Sequence, residues 1–254
     1  QALNLPVPKF AHLPLILGKD GGRLSKRTGA TAISDYRRMG YLPEAIVNYL
    51  MLLGWSPGEN QEIVSLDSAI KKFSIKKVNK TAAVFNIEKL NWINNQYLKK
   101  ADTKRLAELL IPALQAKKYL GDNFDRAWLE GIVKLYQPRL NTLSDFCDWA
   151  DFLFLKKPKF SAEAKQKLVG KPLKDAFKSL LQRIEKLEPF DLHTAEATFR
   201  DLVKELNLNA ADLVHPCRAA LTGKTIGPGL FETMVILGKE KTIERLKQAE
   251  KLIK

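Results

Sequence analysis

Apolar residues recur every three or four positions over most of the chain, which is the spacing of amphipathic helices. The pattern begins near Ser34, and clear examples are the run Ile46, Leu50 and Leu53 and the long stripe that contains Leu106 and Leu110. Ahead of it, the short apolar stretch at residues 13–17 predicts one strand, and no convincing strand pattern follows residue 20. The sequence therefore predicts an all-α fold after a short extended segment.

Breaks in this pattern divide the chain. A compact helical unit is predicted for residues 30–100, and a second helical block starts at residue 101. The best internal boundary is the charged, proline-bearing run Lys156-Lys157-Pro158-Lys159, after which at least four more helices are expected. We therefore predict four segments, at residues 1–29, 30–100, 101–157 and 158–254. The helix that leads to Gly223 is expected to start at Pro216.

The charge balance points to a polyanionic partner. The 254 residues include 42 Lys and Arg against 28 Asp and Glu, which gives a formal net charge of +14. In a chain with 45 % hydrophobic residues, enough for a core, such an excess favours nucleic acid. A solvated, lysine-rich surface is the alternative.

Few residues are suited to metal or disulfide chemistry. The two cysteines, Cys147 and Cys217, are far apart, and the three histidines are scattered, so no metal site or disulfide is expected. No signal peptide opens the chain and no apolar run is long enough to cross a membrane. We therefore expect a cytoplasmic protein that does not bind membranes.

Residues 18–30 form a glycine-rich loop in which cations stand beside a hydroxyl. Glycines let the backbone approach an anion closely, and Lys or Arg can neutralise it, so the loop suits a polyphosphate. The alternative is a solvated basic loop. The residues that carry this interpretation are Arg23, Leu24, Ser25, Lys26 and Arg27.

Two further patterns suit RNA. Five lysines fall within ten residues, with Phe73 and Val78 expected to point inward, so they predict a ridge that faces phosphates, or else a solvated helix face. They are Lys71, Lys72, Lys76, Lys77 and Lys80. We call these five residues the lysine ridge.

Arg139 follows a proline at a helix break, where its rigid guanidinium can project toward a base edge or bind helix-end carbonyls instead. Arg218 precedes a Pro-Gly turn that exposes backbone and flat apolar surface, a mixture that suits splayed bases or else simple packing. The turn residues are Gly227, Pro228, Gly229, Leu230 and Phe231.

Read in order, these segments resemble a known family. Arg23-Leu24-Ser25-Lys26-Arg27 resembles the Lys-Met-Ser-Lys-Ser loop of class I aminoacyl-tRNA synthetases. Together with residues 8–17 and 39–45, Val78-Asn79-Lys80 and the Pro-Gly-Leu-Phe turn, it is similar to bacterial-type glutamyl-tRNA synthetase. No His-x-Gly-His tetrapeptide occurs, so the resemblance covers the later half of the family's enzyme.

The resemblance implies a function and roles. The parent enzyme is expected to ligate glutamate to tRNA-Glu with ATP and Mg²⁺ through glutamyl-adenylate, with Lys26 and Ser25 as catalytic residues of the ATP-binding loop. The lysine ridge, Arg139, Arg218, Gly227, Pro228, Leu230 and Phe231 are expected to bind tRNA. The fold would be a remnant of a Rossmann-like catalytic domain, a stem-contact domain and two helical anticodon-binding subdomains.

The chain alone is expected to bind tRNA as a monomer without bound cofactor, and to make no adenylate. Arg139 favours discrimination of tRNA-Glu from tRNA-Gln. The alternative is a non-enzymatic helical RNA-binding adaptor derived from a synthetase, which gives no reason for an intact residue 23–27 loop. A glutaminyl-type enzyme is disfavoured, because that family reads the anticodon with β-barrels and this sequence predicts helices.

Overall fold

Helices dominate the structure, as the apolar spacing predicts. The computed structural model describes residues 5–25, 32–58, 61–168 and 173–251. Within these ranges the α-helices are α1 (Ile33–Arg38), α2 (Pro43–Leu52), α3 (Leu66–Lys72), α4 (Ile87–Lys100), α5 (Thr103–Ala116), α6 (Arg126–Tyr136), α7 (Leu143–Trp149), α8 (Asp151–Phe154), α9 (Ala162–Leu168), α10 (Lys174–Lys186), α11 (Leu192–Glu205), α12 (Ala210–Thr222), α13 (Leu230–Leu237) and α14 (Lys239–Glu250). Short 3₁₀ turns occupy Ile75–Lys77 and Gln137–Arg139. The predicted all-α fold is confirmed.

Polar side chains cap the N-termini of several of these helices. Ser65 Oγ accepts a hydrogen bond from the Ser68 amide at 3.2 Å, as its place before the apolar run predicts. Asn209 likewise accepts from the amide of Ala211 at 3.0 Å and begins α12. Each such cap stabilises a helix by about 1 kcal/mol. Because Asn209 provides this cap, α12 starts six residues before Pro216, and the expected short helix from Pro216 is corrected to a longer one that contains it.

The described strands are two residues long each. Strand β1 (Ile16–Leu17) pairs in parallel with β2 (Ala83–Val84), in a register that sets Ile16 opposite Ala83. Residues 5–15 have no regular structure and are largely exposed. The sequence analysis missed β2, because two residues carry no alternation that a pattern search can detect.

The chain divides into two compact units. Unit 1 comprises Gln1–Ala101 and Arg139–Ser144, and unit 2 comprises Asp102–Pro138 and Asp145–Lys254. The run Lys156 to Lys159 lies inside unit 2. The finer division into four segments stays a prediction.

Buried asparagines organise the core of unit 1. Asn48 Nδ2 donates to Glu62 O at 2.8 Å, and Asn48 Oδ1 accepts from the amide of Val64 at 2.8 Å. The Tyr97 hydroxyl donates to the same oxygen at 2.9 Å. A buried amide with all these partners fixes the connection between α2 and α3, because leaving any of them unpaired would be costly.

In unit 2, α14 packs against α10 and α12, and α12 packs against α9. The core is apolar and aromatic, with Tyr136, Phe146, Phe177 and Phe199 almost fully buried. One cation lies inside it, since Arg245 is only 2 % exposed.

Candidate functional site

The glycine-rich basic segment begins as a tight hairpin on β1. The Gly18 amide donates to Gly22 O at 2.8 Å, and the Gly21 amide donates to Gly18 O at 3.0 Å. Gly21 has a φ of 76°, which glycine adopts without the strain that a side chain would bring. The Leu24 amide then donates to Ile16 O at 3.0 Å, so the chain returns alongside β1.

The predicted ATP-binding loop lies only partly inside the described residues. Arg23 pairs with β1 in an antiparallel bridge, and the half-buried Leu24 and Ser25 follow it. Lys26 and Arg27 lie outside the described residues. The hairpin therefore carries the chain up to the hydroxyl of the loop, and the roles of these five residues stay predictions.

Two contacts tie this hairpin to the start of α4. The Phe85 amide donates to Leu17 O at 2.8 Å, which extends the β1–β2 pairing. Lys19 Nζ donates to Glu88 Oε1 at 2.8 Å, and this contact holds the pKa of the Glu88 carboxyl below its usual value. Both side chains are exposed, so the ion pair itself contributes little in water.

The lysine ridge is exposed and unpaired within the described structure. Lys71 and Lys72 end α3, Lys76 and Lys77 lie in the following 3₁₀ turn, and Lys80 comes just after it. All five are exposed, and within the described ranges none of them takes part in an ion pair. Five like charges so close together repel one another, and a polyanion would relieve that repulsion.

Apolar side chains share this surface, which the sequence analysis did not predict. Phe73 was expected to face inward, but it is 53 % exposed even though its ring packs against Trp55 with centroids 5.7 Å apart. Val78 is half-buried. The exposed apolar neighbours are Leu66, Ile70 and Ile75. The ridge is thus a mixed surface of ammonium groups and apolar side chains.

Arg139 is exposed at the end of the second 3₁₀ turn, where the backbone that follows it is held firmly. Asn95 Nδ2 donates to Leu140 O at 2.7 Å, and Asn94 Nδ2 donates to Asn141 O at 2.5 Å. Both asparagines belong to α4 and are buried. The predicted corner arginine therefore stands on a rigid base in unit 1.

Gly223 fixes where α12 ends. It adopts φ 73°, and a Cβ built on it would lie 2.2 Å from Lys159 O. Its own carbonyl accepts from the Ser161 amide at 2.9 Å. Only glycine fits this close approach of two backbones. We call residues 223–229, between α12 and α13, the α12–α13 loop.

Arg218 contacts the backbone of the α12–α13 loop. Its side chain is half-buried, and Nη1 donates a hydrogen bond to Pro228 O. Thr233 Oγ1 donates to Gly229 O at 2.7 Å, at the start of α13. Arg218 and the turn, predicted to act together, are therefore in direct contact within unit 2.

Most of the predicted turn surface is packed away. Pro228 is buried and Gly227 is half-buried. Leu230 is only 3 % exposed, so any contact of Leu230 with RNA would come from its main chain. Phe231 is half-buried and packs against Phe199, with ring centroids 5.4 Å apart. Their roles as tRNA contacts stay predictions, as does a surface shared with Arg139, which belongs to the other unit.

Lys224 was missed by the sequence analysis, although it anchors the loop. Its Nζ donates to Asp151 Oδ1 at 2.6 Å and to the carbonyl of Asp148. Lys117 Nζ reaches the Asp148 carboxylate at 2.8 Å. In sequence Lys224 is one lysine among many, and only the fold brings Asp151 to it.

Arg245 supports the same region from α14. Its Nη1 donates to Leu221 O at 2.6 Å, and Nη2 donates to Phe152 O at 2.6 Å and Leu155 O at 3.0 Å. Burial lowers the pKa of this guanidinium from its ordinary value. The three carbonyls lie at the ends of α8 and α12, so one side chain joins these ends.

The described ranges lack two kinds of feature. They contain no group of three His, Cys, Asp or Glu residues that could hold a metal ion. No described helix is long and apolar enough to cross a membrane.

Two family models match the chain. The model "tRNA synthetases class I (E and Q), catalytic domain" matches residues 1–92, and the model "Anticodon binding domain" matches residues 105–250. The second match covers more than half of the chain and most of unit 2.

Curated relatives and solved structures agree with these models. The chain is 41 % identical over 254 residues to glutamate–tRNA ligase 1 of Caldanaerobacter subterraneus subsp. tengcongensis, covering 100 % of this chain and 53 % of that protein. It is 42 % identical over 249 residues to glutamate–tRNA ligase of Geotalea uraniireducens, covering 98 % and 53 %. A glutamate tRNA ligase from Elizabethkingia meningosepticum, solved in complex with its amino acid, superposes with a TM-score of 0.85 at 31 % identity, covering 100 % and 53 %. The chain spans about half the length of these relatives.

Proposed function

The chain belongs to the glutamyl-tRNA synthetase family of class I aminoacyl-tRNA synthetases, and we propose that it is the tRNA-binding part of such an enzyme. The observation that carries this proposal is the match of residues 105–250 to an anticodon-binding domain. The exposed lysine ridge supports it, because unpaired cations attract phosphates. The partner that we propose is tRNA-Glu.

We propose that the whole enzyme joins glutamate to tRNA-Glu with ATP as the second substrate, through glutamyl-adenylate and with Mg²⁺. The chemistry at the ATP phosphates is charge stabilisation, and no covalent catalyst is required. The residue 23–27 loop, with Lys26 and Ser25 as its active members, would neutralise the departing pyrophosphate. The hairpin on β1 supports this role, because the hydrogen bond from the Leu24 amide to Ile16 O holds the residue just before Ser25. A monomer working in the cytoplasm fits this proposal.

Direct binding tests the proposal. The affinity of the 254-residue chain is measured for tRNA-Glu, tRNA-Gln and a tRNA of unrelated anticodon, at several salt concentrations. We expect tightest binding to tRNA-Glu, an affinity that falls steeply with salt, and no ATP–pyrophosphate exchange. Equal affinity for all three tRNAs would favour the adaptor, and failure to bind any tRNA would refute the proposed function. ATP–pyrophosphate exchange would refute the proposal that this chain binds tRNA without making the adenylate.

Arg139→Gln tests the discrimination. A rigid guanidinium that reads a base edge contributes about 1–3 kcal/mol of selectivity, so we expect the preference for tRNA-Glu over tRNA-Gln to fall roughly tenfold. The control is Arg126→Gln, another exposed arginine, whose guanidinium lies over Phe124. An unchanged preference in Arg139→Gln would show that Arg139 reads no base.

A further inference from the structure

We propose that Ile226 is the residue of the α12–α13 loop that packs on a nucleobase, and that Arg218 is a positioning residue that holds the loop in shape for this contact. The inference rests on the proposed function and names the contact within it. Neither role follows from the sequence, where Ile226 is a single apolar residue near glycines and Arg218 suggests a direct base reader.

The side chain of Ile226 is largely exposed. Ile226 is the one exposed residue of the α12–α13 loop, all of which the structure describes. Its side chain is 83 % exposed, whereas the other exposed large apolar side chains described in unit 2 do not exceed 47 %. Folding gains little from an aliphatic side chain in this position, because little of its surface is removed from water.

The backbone that precedes Ile226 is fixed by hydrogen bonds and an ion pair. At the root of the loop, Gly223 O accepts from the Ser161 amide, the Lys224 amide donates to Thr222 Oγ1 at 3.0 Å, and Lys224 Nζ binds Asp151. These contacts hold the backbone two residues before Ile226. A side chain on a backbone fixed in this way loses little conformational freedom when it binds.

The backbone that follows Ile226 is also fixed by hydrogen bonds. Two residues after Ile226, Pro228 O accepts the hydrogen bond from Arg218, and Gly229 O accepts from both the amide and the hydroxyl of Thr233. The guanidinium thus acts on the loop's own backbone. The loop backbone is therefore held on both sides of Ile226, and Arg218 provides one of the contacts that hold it.

The size of the exposed surface at Ile226 suits a nucleobase better than a protein partner. A stable protein interface removes about 800 Å² from each partner, far more than one aliphatic side chain supplies. A splayed nucleobase exposes a single apolar face, which one side chain can contact. The match of this region to an anticodon-binding domain and the basic charge of the chain favour an anticodon base.

The test uses the 254-residue chain and an anticodon stem–loop of tRNA-Glu with 2-aminopurine at each anticodon position in turn. We expect the fluorescence to change on binding at one position, and Ile226→Ser to abolish that change. Affinity for intact tRNA-Glu should fall roughly three- to tenfold, as expected when a few methyl and methylene groups lose their contact. The salt dependence should not change, because no charge is removed.

Leu192→Ser is the matched control, since Leu192 is also an exposed apolar residue of unit 2. It should leave affinity and fluorescence unchanged. If Ile226→Ser binds tRNA and alters fluorescence as the unmodified chain does, the inference is wrong while the proposed function stands. If the unmodified chain fails to bind tRNA, the proposed function itself fails.

A double-mutant cycle tests Arg218 separately. Arg218→Met should weaken binding in the unmodified chain, but much less in the Ile226→Ser background, because the loop then has no side chain to position. Equal losses in both backgrounds would mean that Arg218 acts independently of Ile226, as a direct reader or a general structural residue, and would overturn its positioning role.

Discussion

The lysine ridge and the α12–α13 loop both depend on basic residues, but they use them in opposite ways. The five ridge lysines are exposed and, within the described ranges, take part in no ion pair. In the loop, Lys224 binds Asp151, and Arg218 donates to a backbone carbonyl of the same loop. The ridge therefore offers charge to a partner, whereas the loop uses charge to fix its own shape.

This difference separates two kinds of recognition. Exposed ammonium groups bind phosphates of any sequence and lose affinity as salt rises. A fixed loop with one exposed apolar side chain can contact a base through apolar packing, in which no charge takes part.

Gly223→Ala should have the largest effect, because it disrupts the root of the loop. The added Cβ would lie 2.2 Å from Lys159 O in a left-handed backbone conformation, so we expect a loss of about 2–5 kcal/mol in the free energy of unfolding. Gly238→Ala is the control: Gly238 also has a positive φ, but its Cβ would meet nothing within 4 Å. It should cost about 1–3 kcal/mol, because its φ of 81° with a ψ of 159° lies in a region that is populated almost only by glycine. Equal costs by urea denaturation would contradict the close-approach explanation.

Replacing Lys71, Lys72, Lys76 and Lys77 together by Gln should come next. We expect affinity for tRNA to fall roughly tenfold to a hundredfold at low salt. The slope of log affinity against log salt should decrease by about 3, since each phosphate contact contributes about 0.7–0.9. Folding stability should stay within about 0.5 kcal/mol.

The control for the ridge replaces four exposed lysines of unit 2, Lys165, Lys167, Lys174 and Lys178, by Gln. It removes the same charge, so any effect of net charge alone appears in both variants. If the two variants change the salt slope equally, the ridge is not a distinct phosphate-binding surface.

Lys224→Met should lower stability less than Gly223→Ala does. Methionine keeps the packing but leaves the carboxylate of Asp151 without its partner in a half-buried site, so we expect a loss of about 1–2 kcal/mol. Lys247→Met breaks the more exposed ion pair with Glu185 and should cost at most about 0.5 kcal/mol. Thermal unfolding compares the two, and equal shifts would show that Lys224 is an ordinary surface residue.

The helices were predictable because each one carries its signal locally. Apolar spacing and capping residues such as Ser65 lie within a few positions of the helix that they define. Strand β2 was missed because its partner β1 lies 67 positions away in the register. Phe73 was predicted to face inward because helical spacing predicts a buried face. That spacing does not reveal that the ring contacts Trp55 and still stays 53 % exposed.

The candidate site was predictable in part, and for the same reason. The lysine ridge is a local cluster, so composition alone indicates it. The roles of Arg218 and Lys224 depend on what they contact, and Asp151 is 73 positions from Lys224. The signal that could have indicated Ile226 is an isolated apolar residue inside a loop rich in glycine.

Arg245 has a consequence for the order in which the molecule is completed during synthesis. It collects carbonyls from the ends of α8 and α12, yet it is carried by α14, 24 positions after the nearer of these carbonyls and 93 after the farther. A nascent chain still waiting for α14 already contains every residue of the loop, but the ends of α8 and α12 that Arg245 joins are not yet held together. Arg245 therefore cannot join the ends of α8 and α12 until α14 has left the ribosome.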